Sequence, residues 1–268
     1  MRAILMPLNR HTVETNVSET KFNFKDFVKV FSLVILLYAF FVGLFSLLPG
    51  VTGTIDGLHP TTSFLIQYVL QFVILFFPLW FFVVDKYGAS LSDFGFNRVS
   101  WKKLIATVVI SYLAYLVLSF IITTIITTNQ LQVPGYEAQD SYIPLFGADW
   151  LGFAVAIIFI VGVAPFLEEM FFRGFIYRVF AKTWPAWMAS VLAAGLFALV
   201  HFQINSILPL FLLGLILNYI YHRTGSVWTA VAFHAMNNAI AFGADVYLYF
   251  HPETLKDLEV ITGFLYNL

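Results

Sequence analysis

Within the run Pro165-Phe166-Leu167-Glu168-Glu169-Met170-Phe171-Phe172-Arg173-Gly174, two carboxylates and a guanidinium stand in a segment, Trp150 to Phe180, that is otherwise almost wholly apolar. An isolated charge at the centre of a bilayer costs about 2.5 to 3.5 kcal/mol even on the lenient insertion scale, so such residues need partners or a task. On a helix, residues four apart share a face. Glu169 therefore lies over Arg173 and pairs with it, while Glu168 points about 100° away. That leaves Glu168 as the spare acid, placed to face a cavity. The bland alternative is a buried structural ion-pair cluster, and the functional reading gains weight only where other polar residues converge at the same depth.

Two further apolar segments supply them. His201 closes Phe197-Ala198-Leu199-Val200-His201, with Phe197 one turn earlier on the same face to pack beside the ring. His234 and Asn238, in His234-Ala235-Met236-Asn237-Asn238, are also four apart and offer an imidazole N–H and an amide NH2 from one face. Asn237, about 100° off that face, suits helix-to-helix glue. Asp245 lies nearer the outer end, where it is expected to reach water. At about 1.5 Å rise per residue, Glu168 lies about 21 Å from the inner end of its helix and His201 about 22 Å, with His234 at about 12 Å and Asn238 at about 18 Å. One carboxylate, two imidazoles and an amide thus overlap in depth.

A desolvated Glu beside a His can share a water with it and deprotonate that water for attack on a carbonyl. Donors across the cavity then stabilise the tetrahedral oxyanion, each worth roughly 2.7 to 4 kcal/mol, and His234 and Asn238 carry such donors. Glu169 with Arg173 holds the helix and fixes the field around Glu168. Other hydrolytic designs fit less well. The chain has no Cys, no His-Glu-x-x-His zinc signature, no Gly-x-Ser-x-Gly elbow and no pair of intramembrane aspartates. Zinc held by Glu168, His201 and His234 is the alternative. Glu169 would then have to be the base while paired to Arg173, so water activation with no required cofactor ranks first.

Composition indicates what kind of scaffold carries these residues. The 268 residues are 60% hydrophobic and only 11% charged, with mean hydropathy +0.85, whereas soluble domains carry about 25% charged residues. The expected fold is all-α, a polytopic membrane bundle of about seven or eight transmembrane helices with a four-helix catalytic core. The spans are expected at about Val30 to Leu48, Ser63 to Val84, Lys103 to Ile126, Trp150 to Phe180, Ala186 to Gln203, Ser206 to His222 and Ser226 to Phe250. Residues 1–29 form an N-terminal tail, 30–149 three helices with their loops, 150–250 the catalytic core and 251–268 a C-terminal segment. An eighth element around Val260 to Leu268 is too short to span. Ala189, Ala193, Ala194 and Gly195, and Ala235, Ala239 and Gly243, are expected to let helices approach closely.

Loop charges set the orientation. The tail and the loop 85–102 are basic, Arg178, Lys182 and Arg223 follow later spans, and the loops 49–62 and 127–149 hold no Lys or Arg. The N-terminus is thus expected on the cytoplasmic side. Ala3-Ile4-Leu5-Met6-Pro7 is too brief for a signal-peptide core. The net charge of -1 leaves no footprint of nucleic-acid binding.

Taken in order, Glu168-Glu169-x-x-x-Arg173, Phe197-x-x-x-His201 and His234-x-x-x-Asn238 resemble the motifs of the CPBP family. That family comprises CAAX prenyl endopeptidases and bacteriocin-processing enzymes, also called Abi or lysostaphin-resistance-protein-A-like. The flanks Phe171-Phe172-Arg173-Gly174 and Phe197-Ala198-Leu199-Val200-His201-Phe202 are similar too, and the resemblance covers about Trp150 to Phe250. It implies an intramembrane endopeptidase in which Glu168 and His201 activate water, His234 and Asn238 form the oxyanion site, and Glu169 and Arg173 support the architecture. It also implies a membrane-associated peptide or protein substrate, prenylated or leader-bearing, and a multi-pass protein of a bacterial plasma membrane. Members are variously labelled metalloproteases or glutamate-dependent. Two competing functions use the same features: a non-enzymatic immunity or scaffold protein, and a proton-coupled transporter, against which the chain shows no inverted repeat. Oligomeric state is not readable from these residues.

Overall fold

A computed structural model describes residues 19–46, 58–129, 131, 141–203 and 206–252. The tail before residue 19, Pro134-Gly135, Ile204-Asn205 and the element at Val260 to Leu268 lie outside the described residues.

Helix α1 spans Phe24–Ser46 and starts ahead of the expected Val30. The Asn23 side chain accepts from the backbone N–H groups of Lys25 and Asp26 at 2.9 and 3.2 Å, and Asp26 accepts in return from Asn23 N at 3.0 Å. This reciprocal cap satisfies donors that a helix start leaves open. Helix α2 spans Pro60–Leu79, with proline in its first turn where no N–H is needed. It runs on as a wide π turn, Trp80–Asp85, just after Pro78. A proline removes one rung of the ladder and crowds the carbonyl a turn back, and a wider turn absorbs both effects.

A 3-10 turn at Leu91–Phe94 leads to α3, Trp101–Thr128, and the short α4 covers Ile143–Phe146. Helix α5 is one 34-residue run, Trp150–Thr183, with wide stretches at Ile157–Val163 and Met170–Tyr177. Pro165 follows the first of these, and its missing rung falls on the loosened turn. Helices α6, α7 and α8 are Ala186–Val200, Ile207–Thr224 and Val227–Phe250.

Among the described residues, five helices are long and apolar enough to cross a membrane, against about seven expected from the sequence. Helix α6 has 15 residues and is too short. Helix α8 has 24 but carries His234, Asn237, Asn238 and Asp245, which lower its hydropathy. Both shortfalls come from the helices that bear the candidate site. Leu36 of α1 is 65% exposed, and Ile110 and Val117 of α3 are 66% and 58% exposed. Apolar faces this extensive have no place in water, and the chain is an all-α, multi-pass integral membrane protein.

Helices α5 to α8 pack together, α3 covers α7 and α8, and α1 leans on α2 and the end of α5. Helices α6 and α7 approach closely, and a Cβ added at Gly214 would stand 3.0 Å from both Cα and Cβ of Ala194. The small residues expected to do the same in α8 do not. Ala239 and Gly243 are exposed, and a Cβ on Gly243 would meet nothing within 4 Å. Helix α8 turns Phe233, His234 and Asn237 inward instead. Asp245 departs from expectation as well. It is buried, and its Oδ2 accepts from the backbone N–H of Tyr142 at 3.0 Å just before α4.

Candidate active site

Glu169 and Arg173 are both fully buried, and Arg173 Nη1 donates to Glu169 Oε1 at 2.9 Å along one helix face. Arg173 Nη2 donates to the carbonyl of Gly214 at 3.1 Å, an oxygen reachable because no side chain stands at that position of α7. The guanidinium also lies over the Phe197 ring, 4.6 Å from its centroid. One cation thus ties α5 to α6 and α7. Glu169 Oε1 has a second partner that the spacing alone does not reveal, Nδ1 of His234 at 2.8 Å from α8.

Glu168 points away from this pair. Its Oε2 stands 3.6 Å from His201 Nε2 and 4.0 Å from His234 Nε2, with 13% of its side chain exposed. Both rings are held by their other nitrogen. His201 Nδ1 meets the Phe197 carbonyl at 2.6 Å, and His234 Nδ1 meets a carboxylate. Each of these partners is an acceptor, so Nδ1 carries the hydrogen in each neutral ring and Nε2 turns a lone pair towards Glu168. His201 is placed by a helix end. Helix α6 stops at Val200, and the next residue but one, Phe202, takes the left-handed φ of 52°. The Phe197 carbonyl is one of those a helix C-terminus leaves open, and the imidazole satisfies it. Backbone that is not helical inside a membrane is tolerated where it lines a site.

The two donors expected of α8 are thereby altered. A neutral His234 has spent its N–H on Glu169, so Nε2 donates towards Glu168 only from the doubly protonated ring. Asn238 donates through Nδ2 to the Ile160 carbonyl at 2.9 Å, which leaves one amide hydrogen for other use. That carbonyl lies in the wide stretch of α5. Asn237 is buried beside them.

Glu168 also borders a cavity of about 190 Å³ between α2 and α5. Tyr68, Phe72, Phe76, Phe159, Leu167 and Phe171 are among its walls, and Glu168 is the one charged side chain lining it. Helix α2 thus contributes a wall of the site, although nothing in its sequence marks it beyond Tyr68 and Gln71 standing three apart, one helical turn, in an apolar run. The zinc alternative can be tested on the residues present. The ring orientations suit a metal, but among the described residues no three His, Asp or Glu side chains stand close enough to hold one.

What emerges is a multi-pass membrane helix bundle with a partly buried Glu-His-His constellation set beside a fully buried Glu-Arg pair. Comparison with known proteins gives the class a family likeness. Residues 150–240, which contain every candidate residue, match the family described as type II CAAX prenyl endopeptidase Rce1-like. The resemblance read from the motifs is thus shown over that stretch. The chain is also 27% identical over 179 residues to the UPF0177 protein YbdI of Lactococcus lactis subsp. lactis, covering 63% of this chain and 90% of that protein. No solved structure matches it.

Proposed function

We propose that the protein is an intramembrane endopeptidase that cleaves a membrane-associated peptide or protein with a water activated by Glu168 and His201. The observation that carries this is the approach of Glu168 Oε2 to two imidazoles at 3.6 and 4.0 Å, on the rim of an apolar cavity. A water between Glu168 and His201 gives up a proton as it attacks the carbonyl, and the same acid returns that proton to the leaving amine. His234, oriented by Glu169, and the remaining N–H of Asn238 form the oxyanion site. The substrate reading extends to prenylated or leader-bearing peptides, supported by the likeness to CAAX endopeptidases. The relative from Lactococcus supports a bacterial plasma membrane, and the Lys/Arg bias of the loops supports a cytoplasmic N-terminus.

The test is cleavage of a panel of internally quenched peptides, lipidated and leader-bearing among them, by protein reconstituted in vesicles. Wild type is compared with Glu168→Ala and His201→Ala, each with and without a strong chelator. Loss in both variants with folding retained is the expected result. Undiminished cleavage by both variants refutes the assignment. Loss on chelation restored by zinc would return the metal reading, and an inactive wild type whose variants keep a protective phenotype would favour the scaffold reading.

A further inference from the structure

Basic residues at the Arg178 end of the bundle divide into two groups. Near α1 and α5, Lys21, Lys86, Arg178 and Lys182 are engaged, while Lys25 and Lys29 of α1 have no ion pair among the described residues. Lys21 pairs with Asp93 at 2.8 Å and Lys86 with Asp26 at 2.7 Å. Arg178 donates to the carbonyls of Asp93 and Glu19, and Lys182 to that of Thr20. On the other side stand Arg98, Lys102, Lys103 and Arg223, and none of these has an ion pair among the described residues.

The two segments that carry these four are held together. Asn97 Nδ2 donates to the Gly225 carbonyl at 2.9 Å, Ser226 Oγ to the Asn97 carbonyl at 2.6 Å and Val227 N to the Gly95 carbonyl at 2.9 Å. The loop before α3 and the turn between α7 and α8 are thus stitched into one surface, on which Lys103 and Arg223 feel each other's charge. No acidic residue occurs in 94–104 or 220–232. Two tryptophans flank the patch, Trp101 at 68% and Trp228 at 41% exposure. Tryptophan side chains settle at the headgroup level of a bilayer. Two lysines in the first turn of α3 also oppose the helix dipole, so the arrangement is favoured only with an anion beside it.

We propose that this patch binds the phosphodiester headgroup of an anionic phospholipid in the leaflet facing that end. Zwitterionic headgroups carry their own cation and gain less from four unpaired positive charges. The site is separate from the catalytic constellation and does not depend on it.

The experiment uses the full chain in phosphatidylcholine nanodiscs containing a fixed minority of phosphatidylglycerol, then extraction into mild detergent and native mass spectrometry of retained lipid. Wild type is compared with Arg98→Gln/Lys103→Gln/Arg223→Gln and with a control pair from α1, Lys25→Gln/Lys29→Gln, after all three are shown to unfold at similar temperatures. The expected result is retention of phosphatidylglycerol over phosphatidylcholine by wild type and the control, and a loss of about tenfold or more in the triple variant. Equal retention by the triple variant, or equal loss in the control, overturns the proposal. Displacement of the lipid by millimolar inorganic phosphate would also overturn it, as the mark of a free-phosphate site.

Discussion

A single oxygen, Oε1 of Glu169, accepts from Arg173 at 2.9 Å and from His234 at 2.8 Å. It therefore joins the structural pair to the chemistry. Removing the guanidinium leaves a carboxylate buried without its charge partner, which costs about 3 to 5 kcal/mol. Arg173→Met is accordingly expected to lower the unfolding temperature in detergent sharply. Glu169→Leu combined with Arg173→Met removes both charges and is expected to recover much of that stability. Activity is not expected to return, because His234 has lost the group that orients it. Glu168→Gln has the opposite profile. It keeps the shape and removes the proposed base, so cleavage is expected to fall by about 10² to 10⁴ while thermal stability holds.

At the level of elements, the site is made by departures from regular helix. The wide stretch of α5 exposes the Ile160 carbonyl that Asn238 uses, and the early end of α6 presents His201. Gly174 has a comparable role at the Arg178 end. A Cβ there would lie 2.8 Å from the Phe94 carbonyl oxygen, so the 3-10 turn that precedes the basic loop could not seat on α5. Gly174→Ala is expected to destabilise by about 1 to 3 kcal/mol, read as a lower unfolding temperature. Gly195→Ala, where a Cβ meets nothing within 4 Å, is expected to change it little. Nothing along either helix says how much room a side chain would have at these two glycines. The difference lies in what the fold brings opposite.

For the molecule as a whole, the segment before α1 is fastened across the bundle's end by α5 and by Asp93. The Lys21 ammonium beside it, with the Ser90 N–H, holds the Asp93 carboxyl down at about 2, below its ordinary 3.8. A depressed carboxyl adds stability that is fully present above the ordinary value and is lost as pH falls through the folded one. Unfolding temperature is therefore expected to drop between about pH 4 and pH 2, and Asp93→Asn is expected to flatten that part of the curve.

Readable along the chain were the all-helical membrane class, the pairing of Glu169 with Arg173, the separate direction of Glu168 and the packing of Phe197 on His201. All of these follow from helical periodicity and the cost of charge in hydrocarbon, which act within one segment. It took the packed helices to show that His234 leans on Glu169, that Asn238 is engaged by Ile160, that α2 walls the cavity and that Asp245 is buried. Each of these depends on which residue of one helix meets which residue of another. That register is set by packing between faces, and no spacing along a single helix encodes it.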